Sequence, residues 1–475
     1  MDSRLVQPGD VYLAVPGAHT HGAAFAAQVA AAGAVAIVTD AAGAELAAAA
    51  AEADAAEAGD PLPVVVIDRP RERAGELADV VYGAPSADLI MVGLTGTNGK
   101  TTMSFLIESI FDAAGMVTGV IGTTGHHVAG RRLPTERTTP EAVEVHGLLA
   151  HMREQGVQAV VMEVSSHAMA FGRVAGVRFN AAVFTNLTQD HLDFHGTMED
   201  YFEAKALLFG QAERRVICID DQWGRRLADR WPDAVTYGVH AEQATWRARD
   251  IEPTPLGSTF RAVGGPADDD LEVTVGLPGD FNVANALGAI ASARALGLSG
   301  PTAAAGVAAC AGVPGRMQSV ANDLGIRAYV DYAHTPDAVE RAVEAAGGYP
   351  GRVIALVGCG GDRDVAKRPL MGAAAARLAD IVVITDDNPR SEDPAVIRAA
   401  TMAGAMEVPS EMRAQVLEIA DRREAIAWAV AAATPGDAVL LLGKGHEQGQ
   451  TIGSVTLPFD DVTELATALA KAVDE

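Results

Sequence analysis

The chain has 475 residues, of which 49% are hydrophobic and 21% charged, and its 36 Lys and Arg against 62 Asp and Glu give a net charge of −26. This composition excludes a disordered chain, and the acidic balance argues against a nucleic-acid partner, because it repels phosphate backbones. The three cysteines have no paired spacing, which excludes a disulfide scaffold and a cysteine-based zinc site. No signal peptide and no apolar stretch of roughly 18 residues is seen, so we expect a cytoplasmic protein without membrane insertion.

The first part of the chain alternates short apolar runs with helical segments. Strands are predicted at residues 11–15, 34–39 and 64–67, and helices at 23–32 and in the Ala-rich segment 41–58. A Gly-Ala-Pro-Ser turn at 83–86 follows. We therefore place a first α/β domain at residues 1–87.

The middle part opens with a predicted strand at 89–94, a Gly-rich turn and a helix at 102–114. Further segments are predicted as strands at 159–163, 181–185 and 216–219, hairpin or loop at 253–270, and a helix at 281–296. A turn with Gly and Pro at 312–315 ends this part. We place the second domain at residues 88–312.

The last third has the most regular pattern. Apolar runs at 328–331, 353–358, 381–385 and 438–442 alternate with helices such as 336–346 and 422–433. This alternation predicts a mostly parallel sheet covered by helices, in a third domain at residues 313–475. The fold class predicted for the whole chain is α/β.

The turn after strand 89–94 has the features of a phosphate-binding loop. Two glycines let backbone N–H groups approach phosphate oxygens, a lysine can reach the β- and γ-phosphates, and a threonine hydroxyl can ligate Mg²⁺ at the start of the helix. Leu94 stands where the general pattern has a glycine, and the alternative is an ordinary strand–turn–helix corner. The predicted ATP-binding residues here are Thr95, Gly96, Thr97, Asn98, Gly99, Lys100, Thr101 and Thr102.

This loop resembles the ATP loop of the Mur ligases, the family that builds the cytoplasmic peptidoglycan precursor. The resemblance continues in order along nearly the whole chain, through motifs at 162–167, 185–195, 201–209, 331–336, 358–369, 387–390 and 443–447. It implies a precursor-binding first domain, a P-loop ATPase second domain and a Rossmann-like third domain that binds an amino acid. The matching members of the family add diaminopimelate to UDP-MurNAc-L-Ala-D-Glu through an acyl phosphate, with ATP as co-substrate.

The resemblance also implies roles for residues around the loop. Lys100, Glu163, His191 and Lys205 match catalytic positions, and Thr101, Glu163, His191 and Lys205 match ligands of Mg²⁺. Lys205 matches a lysine that CO₂ converts to N6-carboxylysine, and its apolar neighbours suit a partly buried lysine with a lowered pKa. The expected further nucleotide contacts are Asn282, Arg316, Asp331 and His334, with Asn285 an open alternative to Asn282.

The two remaining substrates are assigned on the same resemblance. The expected precursor contacts are Met1, Ser3, Ala18, His19, Thr20, Arg137, Thr138, Thr139, Ser165, Phe171 and Arg173. Arg137 and Phe171 stand where some family members have Asn and Gln. The expected diaminopimelate contacts are Arg368, Asp387, Asn388, Pro389, Arg390, Gly443 and Glu447. The second carboxylate of diaminopimelate can accept a bidentate pair of hydrogen bonds from the guanidinium group of Arg390.

Other functions remain as alternatives. The same ligase could use L-lysine or another diamino acid, and folylpolyglutamate synthase or MurF are rival ligases of the superfamily. A Gly-rich turn at 358–361 would suit a nicotinamide oxidoreductase, but such a turn alone is weak evidence. A non-catalytic nucleotide-binding regulator is a further class. We expect small-molecule partners only, a monomer, and hinge closure near residues 87 and 312.

Overall fold

The computed structural model describes residues 1–17, 20–53, 62–135, 137–265 and 269–474. The N-terminal unit, residues 11–81, has a parallel sheet in the order β1–β2–β3. Its elements are β1 Val11–Leu13, α1 Ala26–Ala31, β2 Ala36–Thr39, α2 Ala41–Ala53, β3 Val64–Val66 and α3 Ala74–Val81. Helix α2 starts where it was predicted, and the rest of its predicted range, 54–58, lies outside the described residues.

The central unit, residues 90–309, contains the longest sheet found in the described residues. Its strands are β4 Ile90–Thr95, β5 Thr118–Gly122, β6 Gly125–Val128, β7 Arg131–Leu133, β8 Ala159–Glu163, β9 Phe179–Phe184, β10 Ala212–Cys218, β11 Val235–Gly238, β12 Trp246–Thr254, β13 Gly257–Gly264 and β14 Asp269–Val275. Their order is β14-β13-β12-β11-β10-β9-β4-β8-β5-β6-β7. The strands from β5 to β12 in this order run parallel, whereas β6, β7, β13 and β14 are added antiparallel at the two ends.

Helices cover both faces of this sheet. They are α4 Lys100–Ala113, α5 Ala142–Glu154, α6 Ser166–Ala170, α7 Leu192–His195, α8 Met198–Ala206, α9 Gln222–Arg230, α10 Asp280–Ala295 and α11 Gly300–Ala309. Helices α4 and α10 pack their apolar residues into one core with β4, β8 and β9, and a second core lies under α5 and α8. Because β4 lies between β8 and β9, the carboxyl ends of three buried parallel strands meet at one edge, where ligands of such sheets bind.

The C-terminal unit, residues 318–474, has a sheet in the order β15-β16-β20-β17-β18-β19, which is parallel except for β15. Its elements are β15 Gln318–Ser319, β16 Arg327–Asp331, α12 Pro336–Gly347, β17 Val353–Val357, α13 Lys367–Leu378, β18 Ile381–Ile384, α14 Pro394–Glu407, β19 Gln415–Glu418, α15 Arg422–Ala432, β20 Ala438–Leu442, β21 Gly449–Ile452, β22 Val455–Pro458 and α16 Asp461–Asp474. Strands β21 and β22 form a separate hairpin. Apolar cores lie on both faces of the six-stranded sheet.

The predicted α/β class and the mostly parallel last sheet are confirmed. The antiparallel strands at the ends of the central sheet extend beyond the prediction, which had only a hairpin or loop at 253–270. The domain boundaries at 87 and 312 stay predictions. In the part of the chain that the structure describes, no helix combines the length and the apolar character needed to cross a bilayer.

Specific hydrogen bonds join the central and C-terminal units. The Asn98 amide donates to Asp337 Oδ2 at 3.1 Å, and the Tyr329 hydroxyl donates to the carbonyl of Pro255 at 2.6 Å. Asn98 belongs to the turn between β4 and α4, and Asp337 lies in the first turn of α12. The phosphate loop is therefore in direct contact with the C-terminal unit.

Candidate active site

The predicted phosphate loop connects β4 to α4. Two of its positions require glycine because of their backbone conformation and close packing. Gly96 and Gly99 have φ angles of 144° and 88°, which L-residues with a side chain rarely adopt. A Cβ at Gly96 would collide with Thr185 Oγ1, and one at Gly99 would lie 2.5 Å from Asn285 Oδ1. Helix α4 begins at Lys100 rather than at the predicted residue 102, so its N-terminus opens directly onto the loop.

The segment that follows β9 stabilises the predicted phosphate loop through hydrogen bonds. The backbone N–H of Thr97 donates to the Asn186 carbonyl at 2.9 Å, and that of Asn98 donates to Asn186 Oδ1 at 3.0 Å. The Thr185 hydroxyl donates to the Asn98 carbonyl at 2.6 Å. Within the motif at 185–195 the sequence points to His191, and this support of the loop by Asn186 was missed.

Two lysines from different helices meet at one carbonyl of the loop. Lys100 Nζ donates to the carbonyls of Gly96 and Thr97 at 2.8 and 2.9 Å, and Lys205 Nζ, from α8, donates to the Gly96 carbonyl at 2.8 Å. The Lys205 side chain is fully buried. Burial, together with the nearby charge of Lys100, holds the pKa of Lys205 well below its ordinary value. Neutral amine is therefore accessible at Lys205 under conditions in which an exposed lysine stays charged.

A buried carboxylate lies beside the loop. Glu163 ends β8 and is 1% exposed. Its Oε2 accepts hydrogen bonds from the hydroxyls of Thr101 and Thr123 at 3.0 and 3.1 Å, and its Oε1 accepts one from the N–H of Thr123 at 3.0 Å. Arg316 reaches in from the segment before β15 and donates to Thr101 Oγ1 at 3.3 Å. A carboxylate, a hydroxyl and a guanidinium group thus surround the start of α4.

His191 lies in the turn before α7 and adopts a left-handed backbone conformation, with φ 53°. Its Nε2 is 3.3 Å from Asp190 Oδ2, and its ring packs edge-on against that of His167, with centroids 4.9 Å apart. Partial burial lowers the pKa of His191 to about 4, although Asp190 opposes this shift. The imidazole is therefore neutral near pH 7, which is the form that ligates metals.

These residues fit Mg²⁺ in part. Carboxylate and hydroxyl oxygens are donors that Mg²⁺ accepts, and the ion ordinarily combines one or two protein ligands with substrate phosphates and water. The described ranges contain no cluster of three or more His, Cys, Asp or Glu able to hold a metal alone. Thr101 and Glu163 fit such a shared site, whereas Lys205 fits only once its amine has become an anion.

A cleft of about 730 Å³ opens between the central and C-terminal units. The predicted residues that line it are Thr97, Asn98, Gly99, Lys100, Thr101, Thr102, Thr138, Glu163, Ser165, His191, Arg316, Asp331 and His334. Asp331 ends β16 and accepts a hydrogen bond from the N–H of Met317 at 2.6 Å. Thr95 is buried in β4 behind the loop.

The two asparagines of α10 differ in their surroundings. Asn285 lines the cleft, whereas Asn282 is 1% exposed and donates to the carbonyl of Pro278 at 2.7 Å. The side-chain oxygen Oδ1 of Asn282 accepts a hydrogen bond from Asn285 Nδ2 at 3.1 Å. Asn282 therefore orients Asn285, and Asn285 is the one of the two that faces the cleft.

Several predicted precursor residues surround the outer side of Glu163. The Thr139 hydroxyl donates to the Glu163 carbonyl at 2.8 Å and accepts from the N–H of Ser165 at 3.2 Å, and Thr138 bonds to Thr123. Arg173 and Arg137 both contact Glu141 Oε1, at 2.9 and 3.0 Å. The ring of Phe171 is exposed and lies 5.3 Å from that of Phe194.

The predicted precursor residues at the start of the chain lie in the N-terminal unit. Met1 packs against an apolar cluster that includes Ala142 of α5, Ser3 is half-buried, and Thr20 is exposed. Burial lowers the pKa of the Met1 amine, although Glu144 and other acidic groups oppose the shift. Ala18 and His19 lie outside the described residues.

The motifs at 387–390 and 443–447 come together at the carboxyl ends of β18 and β20. The Asn388 amide donates to Glu447 Oε2 at 2.7 Å, and a Cβ at Gly443 would lie 2.5 Å from Asp387 Oδ2. Pro389 packs its carbonyl against Gly361. Arg390 has φ 52° and donates from Nη1 to the Gly361 carbonyl at 2.6 Å.

Arg368 differs from the other residues of this group, because its charge already has a partner. Its side chain is 1% exposed, and Nη2 and Nη1 donate to the two oxygens of Glu392 at 2.7 and 2.9 Å. Glu392 was missed by the sequence reasoning, because nothing local distinguishes it from a surface residue. Arg368 thus holds Glu392 in place at the edge of this group of residues.

Comparison with known proteins adds to this geometry. Three family models match the chain, described as Mur ligase family, catalytic domain, at residues 1–82, Mur ligase middle domain at 94–293, and Mur ligase, glutamate ligase domain, at 315–445. The chain is 50% identical to the UDP-N-acetylmuramoyl-L-alanyl-D-glutamate--2,6-diaminopimelate ligase of Streptomyces coelicolor, over 99% of this chain and 92% of that protein. It is 46% identical to the protein of the same name from Corynebacterium glutamicum, over 100% and 92%.

A solved structure of a ligase of that name is 33% identical and covers 100% of this chain and 94% of its own, with a TM-score of 0.69. The family matches together span most of the sequence, in the order that the motifs predicted. The resemblance seen in the motifs is confirmed, and the chain belongs to the Mur ligase family.

Proposed function

We propose that this chain is the ATP-dependent ligase that joins diaminopimelate to the D-Glu carboxylate of UDP-MurNAc-L-Ala-D-Glu. The observation that carries the proposal is one cleft lined by a phosphate loop with Lys100 and by Glu163, with the buried Lys205 bonded to the Gly96 carbonyl of that loop and the 387–390 and 443–447 motifs in the unit across the cleft. The relatives that bear this name match the chain along its whole length.

In the first step, a carboxylate oxygen of the precursor attacks the γ-phosphorus of ATP. The bond from this phosphorus to the β,γ-bridging oxygen breaks, so that ADP leaves and an acyl phosphate forms. Lys100, Arg316 and the N–H groups at the start of α4 are placed to neutralise the phosphate oxygens as charge moves between them. Because the precursor carboxylate and the ATP phosphates are both anions, this charge neutralisation is the main contribution of the site to the reaction.

The metal assignments are part of the proposal. Mg²⁺ would be held by Thr101 and Glu163, with a second ion at His191 and Lys205, and when bound it supplies charge neutralisation between the phosphates and the acceptor carboxylate. Lys205 can ligate Mg²⁺ only as an anion. We therefore assign it a carbamate, which forms when its neutral amine adds to CO₂ and loses a proton. Its lowered pKa, caused by burial and by Lys100, supports this assignment.

In the second step, the amine of the amino acid attacks the acyl carbon. Phosphate leaves, an amide bond forms, and the amine loses its proton. We assign recognition of the amino acid to the motifs at 387–390 and 443–447, in which Arg390 meets the distal carboxylate and Glu447 an ammonium group. Arg368 acts on this site through Glu392, which it holds by two hydrogen bonds.

A direct test supplies the purified protein with ATP, Mg²⁺ and UDP-MurNAc-L-Ala-D-Glu, and with diaminopimelate, L-lysine or no amino acid. Phosphate release and a product mass raised by one diaminopimelate residue are expected only in the first mixture. Equal use of lysine would contradict the assigned selectivity, and a need for a folate substrate would make the chain a folylpolyglutamate synthase.

Lys205 has its own test. Intact mass of the active enzyme in bicarbonate buffer should exceed the sequence mass by one CO₂, and the Lys205→Met variant should lack this increment and its activity. An unmodified amine in fully active enzyme would contradict the assignment.

We further propose that the protein is cytoplasmic and monomeric. Light scattering tests the monomer by measuring the mass of the protein in solution.

A further inference from the structure

Lys444, in the loop after β20, is a buried lysine that the proposed mechanism does not use. Its side chain is completely inaccessible to solvent. A buried ammonium group is costly unless oxygen atoms satisfy each of its protons. The contacts of the buried Lys444 ammonium group therefore indicate its role.

Three oxygen atoms surround the Lys444 ammonium group. Nζ donates to the Gly449 carbonyl at 2.7 Å and to Asn388 Oδ1 at 3.1 Å, and it lies 3.6 Å from Glu447 Oε2. Two of the three ammonium protons are donated in hydrogen bonds, and the Glu447 carboxylate supplies the opposite charge as an ion pair. Two of the three partners are side chains assigned above to the amino-acid site.

The contacts fix the orientation of the Asn388 amide. Its Oδ1 accepts from both Lys444 and the N–H of Thr451, the latter at 2.9 Å, so its NH₂ group must face the opposite way. There it donates to Glu447 Oε2 at 2.7 Å. Because Asn388 and Lys444 both engage Oε2, Oε1 is the Glu447 oxygen that remains to meet a ligand.

Lys444 also acts on the charge of Glu447. Burial and the negative charge of Asp387 raise the pKa of Glu447, and Lys444 opposes the rise. The other charged or titratable groups facing this carboxylate are Arg390 in the loop after β18, Arg422 at the start of α15 and Tyr332 after β16. Lys444 is the cation among these groups that directly contacts Glu447 Oε2.

We propose that Lys444 is a positioning residue for amino-acid recognition, which fixes the Asn388 amide and the Glu447 carboxylate in the orientation that binds the ammonium group of a diamino acid. The inference rests on the proposed function, because it needs an amino acid at this site. It assigns to Lys444 no contact with the substrate.

The test compares Lys444→Met with the matched control Lys471→Met, which removes an exposed lysine of α16. Because Lys444→Met removes the charged donor that holds Asn388 and Glu447, KM for diaminopimelate should rise about tenfold or more, while KM for ATP stays unchanged. The fall of 1/KM at acidic pH should also begin at a higher pH, because Glu447 loses the cation that opposes its protonation. Lys444→Arg, which keeps the charge, should restore much of the affinity for diaminopimelate.

The outcomes separate this inference from the proposed function. If the unaltered enzyme does not use a diamino acid, the proposed function fails. If it does, and Lys444→Met keeps its KM for diaminopimelate or loses affinity for ATP equally, the positioning role is refuted. If both Lys444→Met and Lys444→Arg are unfolded by circular dichroism while Lys471→Met is folded, Lys444 supports the fold rather than recognition, and the inference is overturned.

Discussion

Replacing Arg390 by Ala should remove diaminopimelate use while leaving ATP binding intact. Arg390 uses one donor on the Gly361 carbonyl, which leaves other donors of its guanidinium group for a substrate carboxylate. Losing a pair of hydrogen bonds to a charged group is worth about 3 kcal/mol, or roughly a 100-fold fall in kcat/KM for diaminopimelate. The cost in folding stability is smaller, about 1 kcal/mol for the bond to Gly361. Since Ala keeps the Cβ, the left-handed backbone at this position is no more strained than before.

The measurement is phosphate release at varied diaminopimelate and, separately, at varied ATP. Arg363→Ala, which removes an exposed arginine from the neighbouring loop, is the matched control and should change neither KM. Arg390→Lys should recover only part of the loss, because an ammonium group cannot form two parallel bonds to a carboxylate. If Arg390→Ala raised the KM for ATP as much as that for diaminopimelate, the reasoning would be wrong.

Three further predictions concern the cleft and the histidines His334 and His446. Gly99→Ala should raise KM for ATP at least about tenfold, because its Cβ meets Asn285 Oδ1 and Ala is strained at φ 88°; an unchanged KM would show that the loop can shift. Asn282→Ala should lower the free energy of unfolding by about 1–3 kcal/mol, whereas Asn285→Ala should mainly raise KM for ATP, as urea titration and kinetics can show; the reverse pattern would reverse the two roles. Burial lowers the pKa of His334 and His446 to about 4 from 6.5, so the unfolded chain binds more protons between these values and stability should fall on acidification from pH 6.5 to 4. Urea titrations should find a shallower fall when both are Gln, and an equal fall would contradict the assignment.

Much of the fold could be predicted because it depends on local patterns. The buried strands β8 and β20 were placed at their observed bounds, since continuous apolar runs between turns mark parallel strands. Strand β5 and the antiparallel strands β6 and β7 next to it were missed, because the glycines and histidines of 118–133 break the apolar run that a strand prediction needs. Pairing across the sheet, rather than local preference, stabilises these strands.

Some features of the candidate site could likewise be predicted from local sequence, and others could not. The phosphate loop was predictable because its glycines, lysine and threonines are adjacent in sequence. Pairings between distant residues were not: Glu392 with Arg368, Lys444 with Asn388, and Asn186 beneath the loop all depend on how separate strands meet. The choice between Asn282 and Asn285 also needed the structure, because both lie on the same helix and only the packing of α10 decides which one faces the cleft.

The hydrogen bond between Asn98 and Asp337 has a consequence for how the two small substrates influence each other. A polyphosphate bound at the loop as proposed would bring negative charge close to the Asp337 carboxylate, so we expect this bond to differ in strength between the empty and the nucleotide-bound states. In the proposed assignment the C-terminal unit selects the amino acid, so this bond would couple amino-acid affinity to nucleotide occupancy. By thermodynamic reciprocity, whatever factor ATP imposes on amino-acid affinity, the amino acid imposes on ATP affinity in return.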